Sequence, residues 1–245
     1  MRHITPTVLG LALLMAACGE HKDAGDRQTD TGELPVEIRE KIELYSRKLA
    51  DNPSDFEALY SRGVLYAGHG WYDSAIADYN RILAIDSMKA DIFYNRALAW
   101  LGKRDTIRAL ADYDRCLQIN PRVTEAHMGR AAVYYARQLP SEAVAEFSRA
   151  IGLSLRSDFL YVNRGLAYVQ ADDHRAAIAD YMKAVELNPT NAEARYHLGM
   201  AYQITDEPTK ALDAFRSFRQ VAQPDDPRLI AVEKKLRALG SDPGR

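Results

Sequence analysis

Most function classes leave marks that this 245-residue chain lacks. Its two cysteines are too few for a disulfide framework. With 32 basic and 34 acidic residues the formal charge is −2 and no basic run stands out, so charge gives no reason to expect a nucleic-acid partner. The most apolar stretch, Ile4 to Ala17, is shorter than the roughly 20 residues of a membrane-spanning helix. No glycine-rich phosphate loop precedes Lys103 in "LGKRD", and no serine sits in a nucleophile elbow. The histidines are scattered (His3, His21, His69, His127, His174 and His197) without metal-ligand spacing. No cofactor, metal site or catalytic centre is expected, and a binding surface is the kind of function left to look for.

What the chain does have is a repeat. Ala75, Ala109, Ala143, Ala177 and Ala211 stand at a constant interval of 34 residues. An aromatic lies nine residues before each of them: Tyr66, Trp100, Tyr134, Tyr168 and Tyr202. Another lies four residues after: Tyr79, Tyr113, Phe147, Tyr181 and Phe215. Self-similarity at this period is the mark of a stacked helical repeat, in which each unit buries its apolar face only against its neighbours. When each unit is numbered from Phe56, Ala90, Thr124, Asp158 and Ala192, place 8 is always small (Gly63, Ala97, Ala131, Gly165, Gly199). Place 20 is always alanine, and the aromatics fall at places 11 and 24. Small residues at 8 and 20 let two antiparallel helices approach closely, and the rings fill the space beside that contact. Place 32 keeps its proline in Pro121 and Pro189.

These residues, over roughly Phe56 to Asp225, resemble the tetratricopeptide repeat (TPR) family. The resemblance implies an all-α fold: a right-handed α-solenoid of five helix pairs over 56–89, 90–123, 124–157, 158–191 and 192–225. Before them, residues 36–53 are in register with the second helices, Tyr45 preceding Tyr79 by 34, and read as half a repeat. After them, Asp226, Pro227 and the run to Gly240 carry the signals of a capping helix over 227–239, with residues 241–245 a disordered tail. Twelve helices are expected. Asp55, Ser157, Asn191 and Asp225 stand where a side chain caps the next first helix. Phe218, in place of a small residue at place 27, predicts a different packing at the last interface. Cys116 at the same place of the second repeat reads as a small core residue.

One charged pattern recurs within the chain. Arg62, Arg96, Arg130 and Arg164 hold place 7, and the same four units carry Asp78, Asp112, Glu146 and Asp180 at place 23. In the fifth unit both change together, to Leu198 and Ala214. An arginine–carboxylate pair between helices is predicted, with a structural role.

The amino terminus carries a second resemblance. Arg2, the apolar run to Ala17 and "LMAACG" resemble a bacterial lipoprotein signal, with cleavage before Cys18 and lipid on its thiol. On this reading residues 1–17 are the signal peptide. The polar segment of 18–34 is a flexible tether with a reach of about 20–25 Å. Gly19 in place of aspartate makes the outer membrane, on its periplasmic side, the expected location. Stable attachment then takes more than one acyl chain.

Members of the TPR family commonly meet ligands at places 2, 5, 6, 9 and 12 of the first helices, which line the concave side. Carried over, place 5 supplies Tyr60, Tyr94, Met128, Val162 and Tyr196, and place 9 supplies Val64, Leu98, Ala132, Leu166 and Met200. Place 6 adds the amides of Asn95 and Asn163, suited to an extended peptide backbone, and place 12 adds Tyr135. The lysine and asparagine of a clamp for acidic tails are missing, since Tyr60 and Val64 stand there. The expected partner is a mainly apolar peptide or helix, met by an acidic rim of Glu57, Asp91, Glu125 and Glu193 and bound with about micromolar affinity. Membrane-tethered adaptor is the leading reading. A structural subunit of an envelope assembly (pilus, secretion or peptidoglycan machinery) using its convex surface is the alternative.

Overall fold

The computed structural model describes residues 34–154 and 156–240. The expected signal peptide, lipidated Cys18, most of the tether and the closing tail lie outside the described residues. Among those that are described there are twelve α-helices and no strand. They are α1 Val36–Asp51, α2 Phe56–Gly68, α3 Tyr72–Ile85, α4 Ala90–Gly102, α5 Thr106–Ile119, α6 Thr124–Ala136, α7 Pro140–Leu153, α8 Asp158–Gln170, α9 His174–Leu187, α10 Ala192–Ile204, α11 Pro208–Val221 and α12 Arg228–Gly240. Each expected repeat supplies a first helix of 13 residues and a second of 14. None of the described helices is long and apolar enough to cross a membrane.

Helix starts are fixed by local chemistry, in part where the sequence placed it. Asp55 accepts from the Ala58 N–H at 3.0 Å and Asn191 from that of Ala194 at 2.8 Å. Ser157 makes no side-chain cap, which corrects the expectation for it. Ahead of α12, Asp226 rather than Asp225 accepts from the Arg228 N–H, at 2.9 Å. Asp105 and Asp173 cap second helices.

The turn inside each pair has a regularity of its own. Gly70, Arg104, Gln138, Asp172 and Asp206, 34 residues apart, all have φ between 57° and 82°. Only the first is the residue type that adopts this conformation freely; the other four carry a Cβ in the left-handed region. The turn is therefore imposed by the packing of the helices it joins. Gln138→Gly should raise stability by about 0.5–1 kcal/mol, since exposed Gln138 loses backbone strain and little else. A urea midpoint unchanged or lowered would count against this account.

By its contacts the chain divides into two compact units between Ala136 and Arg137, in the turn of the third repeat. The first, α1–α6, has two apolar clusters. One gathers Leu49, Leu59, Ala75, Ile76, Tyr79, Ile82 and Ile92, and the other Phe93, Ala97, Ala109, Tyr113, Cys116 and Val133. The second unit, α7–α12, has a cluster of Ala177, Tyr181, Ala184, Ala201, Ala211, Phe215, Phe218 and Val232. Each cluster contains a place-24 ring, and the last contains two. A methyl group built on Gly63 would lie 2.8 Å from Tyr79 Cε1, on Gly165 2.5 Å from Tyr181, and on Gly199 2.6 Å from Phe215. Cys116 is fully buried and unpaired, and burial pushes its thiol up to about 12, so it stays protonated and unreactive at neutral pH.

Candidate functional site

The first helices carry the candidate groove, and a set of ion pairs holds them in place. Arg62 grips Asp78 with two parallel bonds, Nε to Oδ2 at 2.8 Å and Nη2 to Oδ1 at 2.7 Å. Arg96 with Asp112 and Arg164 with Asp180 repeat the same geometry and distances. All three pairs join the two helices of one repeat. Asp78, Asp112 and Asp180 are buried, and the bond to Asp raises the pKa of Arg62 and Arg164 against the opposing cost of burial.

The remaining guanidinium nitrogen does something the sequence reading missed. Arg62 Nη1 reaches Ser46 Oγ at 2.9 Å, Arg96 reaches Asn80 Oδ1 at 2.6 Å, Arg164 reaches Ser148 Oγ at 3.0 Å, and Arg130 reaches Asp114. Each acceptor stands 16 residues before its arginine, at place 25 of the preceding unit. At Arg62, Arg96 and Arg164 one guanidinium thus ties three helices across a repeat boundary. The signal was present in the chain: place 25 is polar wherever the next unit has arginine at place 7, and it becomes Met182 before Leu198.

The predicted contact residues divide into three groups. In the first unit Val64 is 40 % exposed, and Tyr60, Leu98, Met128 and Tyr135 are partly exposed. Tyr60 stacks on Phe56, ring centroids 6.2 Å apart, and the phenols of Tyr60 and Tyr135 are raised by partial burial. In the second unit Leu166 and Met200 are partly buried side chains against the apolar cluster. These keep an open surface.

A second group keeps less. Tyr94 packs on Tyr113 at 6.1 Å, and burial pushes its phenol up to about 12. Tyr196 lies 5.6 Å from Phe218 and 5.4 Å from His197, and the Arg228 guanidinium sits 5.3 Å from its ring. Neighbouring rings use much of the faces of both tyrosines. Arg228 also lies 5.3 Å from Phe218 and is held by Asp226, so α12 closes the last interface through the enlarged residue at place 27.

The third group is buried or already hydrogen-bonded. Val162 is buried within the second unit's cluster, and Asn163 is buried with its Nδ2 donating to the Phe159 carbonyl at 2.8 Å. Asn95 spends its Nδ2 the same way, on the Asp91 carbonyl at 2.9 Å. The two amides expected to donate to a peptide backbone are instead folded onto their own helices, where a carbonyl four residues back is the nearest acceptor. Of the four acids expected at the rim, Glu57 and Asp91 are exposed and Glu125 partly so in the first unit, and Glu193 is exposed in the second.

His197 adds a titrating group beside Tyr196 in the second unit. It stacks on Tyr181 at 5.6 Å, and burial, with Arg228 nearby, lowers its pKa to about 4. It is neutral in the folded chain at neutral pH. In the unfolded chain it takes up its proton near the ordinary value of about 6.5. Between those limits the unfolded state binds more protons, so stability falls as pH drops from 6.5 toward 4, by up to about 1.4 kcal/mol per pH unit. His197→Gln should flatten that part of the urea-midpoint profile. A profile of unchanged slope would exclude His197 as the cause.

The comparisons with known proteins fit this geometry. Models of the tetratricopeptide repeat match residues 42–91 and 94–154, and a TPR repeat model matches 165–204, together more than half of the chain. The chain belongs to the tetratricopeptide repeat family. No curated protein matches it. Among solved structures it is similar to YrrB, "a TPR protein with an unusual peptide-binding site", with a TM-score of 0.67 and 19% identity over 79% of this chain and 99% of that one. MamA from Desulfovibrio magneticus RS-1 gives 0.63 and 19% over 76% and 97%. A tetratricopeptide repeat protein from Parabacteroides merdae gives 0.54 and 21% over 83% and 78%. At these identities the likeness is one of fold. TPR chains are protein-interaction scaffolds, and the fold is typically non-enzymatic. Among the described residues no group of His, Cys, Asp and Glu is placed to hold a metal ion.

Proposed function

We propose that this TPR protein is a membrane-anchored adaptor that binds a mainly apolar peptide or helix on its first helices, in the bacterial cell envelope. The observation that carries the reading is the row of partly exposed apolar and aromatic side chains in the first unit, Tyr60, Val64, Leu98 and Met128, edged by exposed Glu57 and Asp91. A solvent-facing row of that kind is a feature of interaction surfaces. The paired arginines behind it hold the first helices rigid, which lowers the ordering cost of binding. Within that unit Tyr94, packed on Tyr113, acts as a wall. A peptide site in a structure of the same fold, YrrB, is consistent with this use.

The anchor is Cys18, lipidated after removal of residues 1–17, with the outer membrane as its place and the periplasm as the side on which the repeats work. Labelled palmitate should enter the wild type and not Cys18→Ser. The groove is tested separately, with a photo-crosslinking residue in living cells at Val64 on α2 or at exposed Ala77 on α3. A discrete protein adduct from position 64 alone is expected. Adducts from position 77 alone would overturn the groove and favour a structural subunit that uses its second helices.

A further inference from the structure

The outward side of α5 differs from that of every other second helix. Between Lys103 and Arg122 the exposed residues are Arg104, Ile107, Arg108, Ala111, Arg115, Gln118, Asn120, Pro121 and Arg122. Four are arginines and none is acidic. The corresponding stretches elsewhere expose acids: Asp73 on α3, Glu142 on α7, Glu186 on α9 and Asp213 on α11. Arg108, Ala111, Arg115 and Gln118 follow one another by three or four residues, so they share one face of the helix. Arg104 and Arg122 stand in the turns at its two ends.

The charge on this face is met by a carboxylate only at Arg108 among the described residues. The two acids of the stretch are already engaged, Asp105 in capping α5 and pairing with Arg108 at 3.4 Å, Asp114 with Arg130. Arg115 is met only by the neutral Gln118, at 3.2 Å, and no described carboxylate lies within ion-pair distance of Arg104, Arg115 or Arg122. Ile107, beside Arg108, is 72 % exposed. An aliphatic side chain among arginines gains nothing in water. It gains on entering the boundary between headgroups and acyl chains, where arginines meet lipid phosphates.

We propose that the outer face of α5, with Arg104, Arg115 and Arg122 as its cationic contacts and Ile107 as its apolar one, docks on an anionic phospholipid surface. The proposal extends the anchor reading: a chain tethered through Cys18 is delivered to a bilayer, and this face sets which side of the first unit lies against it. Alanine at 111 keeps the middle of the face flat, suited to a planar partner rather than to a ligand gripped in a cleft. The folded structure assembles a basic surface that no basic run in the sequence announces.

The test is flotation of the full chain with phosphatidylcholine vesicles and with vesicles containing one quarter phosphatidylglycerol. Wild type should bind the anionic vesicles at least tenfold more tightly, at roughly fivefold per arginine, and lose the excess in 0.5 M salt. R104E/R115E/R122E should lose the excess while keeping its thermal midpoint, and R104K/R115K/R122K should retain it. An equal gain in wild type and in the charge-reversed protein would assign the effect to the amino-terminal segment and overturn the proposal. A wild type that gains nothing from phosphatidylglycerol but binds polyglutamate would assign the face to an acidic protein instead. Failure of the anchor is seen apart, as palmitate labelling that persists in Cys18→Ser.

Discussion

Asp180→Ala should be among the most damaging single substitutions in the second unit, lowering stability by about 3–5 kcal/mol in urea unfolding. The carboxylate is buried, and it takes both parallel bonds from Arg164, whose side chain is itself only 20% exposed. Without it, the guanidinium stays among Tyr161, Tyr168 and Ser148 with one neutral acceptor left. Much of the loss is then the cost of a desolvated charge without a counter-charge rather than the worth of the bond. Removing both partners should therefore cost less than removing one. Arg164→Leu/Asp180→Ala reproduces what the chain does at Leu198 and Ala214, and it should come within about 1–2 kcal/mol of the parent. If the double variant were as unstable as the sum of the two singles, the pair would have no coupling and the clamp would be a coincidence of spacing.

The clamp also marks how far the sequence carried. The 34-residue interval located ten paired helices, and the half-repeat and the cap completed the twelve, because an alanine at place 20 and a ring at place 24 have a single geometric use in a helix pair. Pairing of places 7 and 23 was legible because both change together in the fifth unit. The third contact, to place 25, needed the structure, since it crosses a repeat boundary and its acceptors are three residue types: Ser46 and Ser148, Asn80 and Asp114. The left-handed turn at place 15 left a glycine only at Gly70. Elsewhere Arg104, Gln138, Asp172 and Asp206 are strained there by helix packing, which local propensity does not report.

The candidate site was less legible than the fold. A place number says which side of a helix a residue occupies, and not whether a neighbour covers it. Tyr60 and Tyr196 hold the same place. Tyr60 packs on its own unit's apolar cluster with Phe56 stacked on it, whereas Tyr196 also meets Phe218, His197 and Arg228 because the cap helix begins beside it. Asn95 and Asn163 look like open amides in sequence, yet each has an acceptor within its own helix. Exposure is set by the adjoining repeat, which a place number does not report.

Gly165→Ala should destabilise, against the usual sign for glycine in a helix. In an open helix interior the change gains about 1 kcal/mol, since alanine has less backbone entropy to lose. At Gly165 the new methyl would stand 2.5 Å from Tyr181 Cε1 and 2.9 Å from Cδ1, and the ring has no room to retreat because Tyr181 is fully buried. Either the ring leaves its rotamer or α8 and α9 separate. Overpacking of this kind costs about 1–3 kcal/mol and outweighs the propensity gain. Gly165→Val adds two further methyl groups and helix-disfavouring branching, and should cost more than the alanine variant. Gly152 in α7 supplies the control within the same unit, because a methyl there meets nothing within 4 Å and Gly152→Ala should be neutral or stabilising by about 0.5 kcal/mol. The opposite signs at two helical glycines would show that place 8 is small because of the ring at place 24. A stabilising Gly165→Ala would mean that the helix pair yields to the methyl, and that this contact does not set the spacing of α8 and α9.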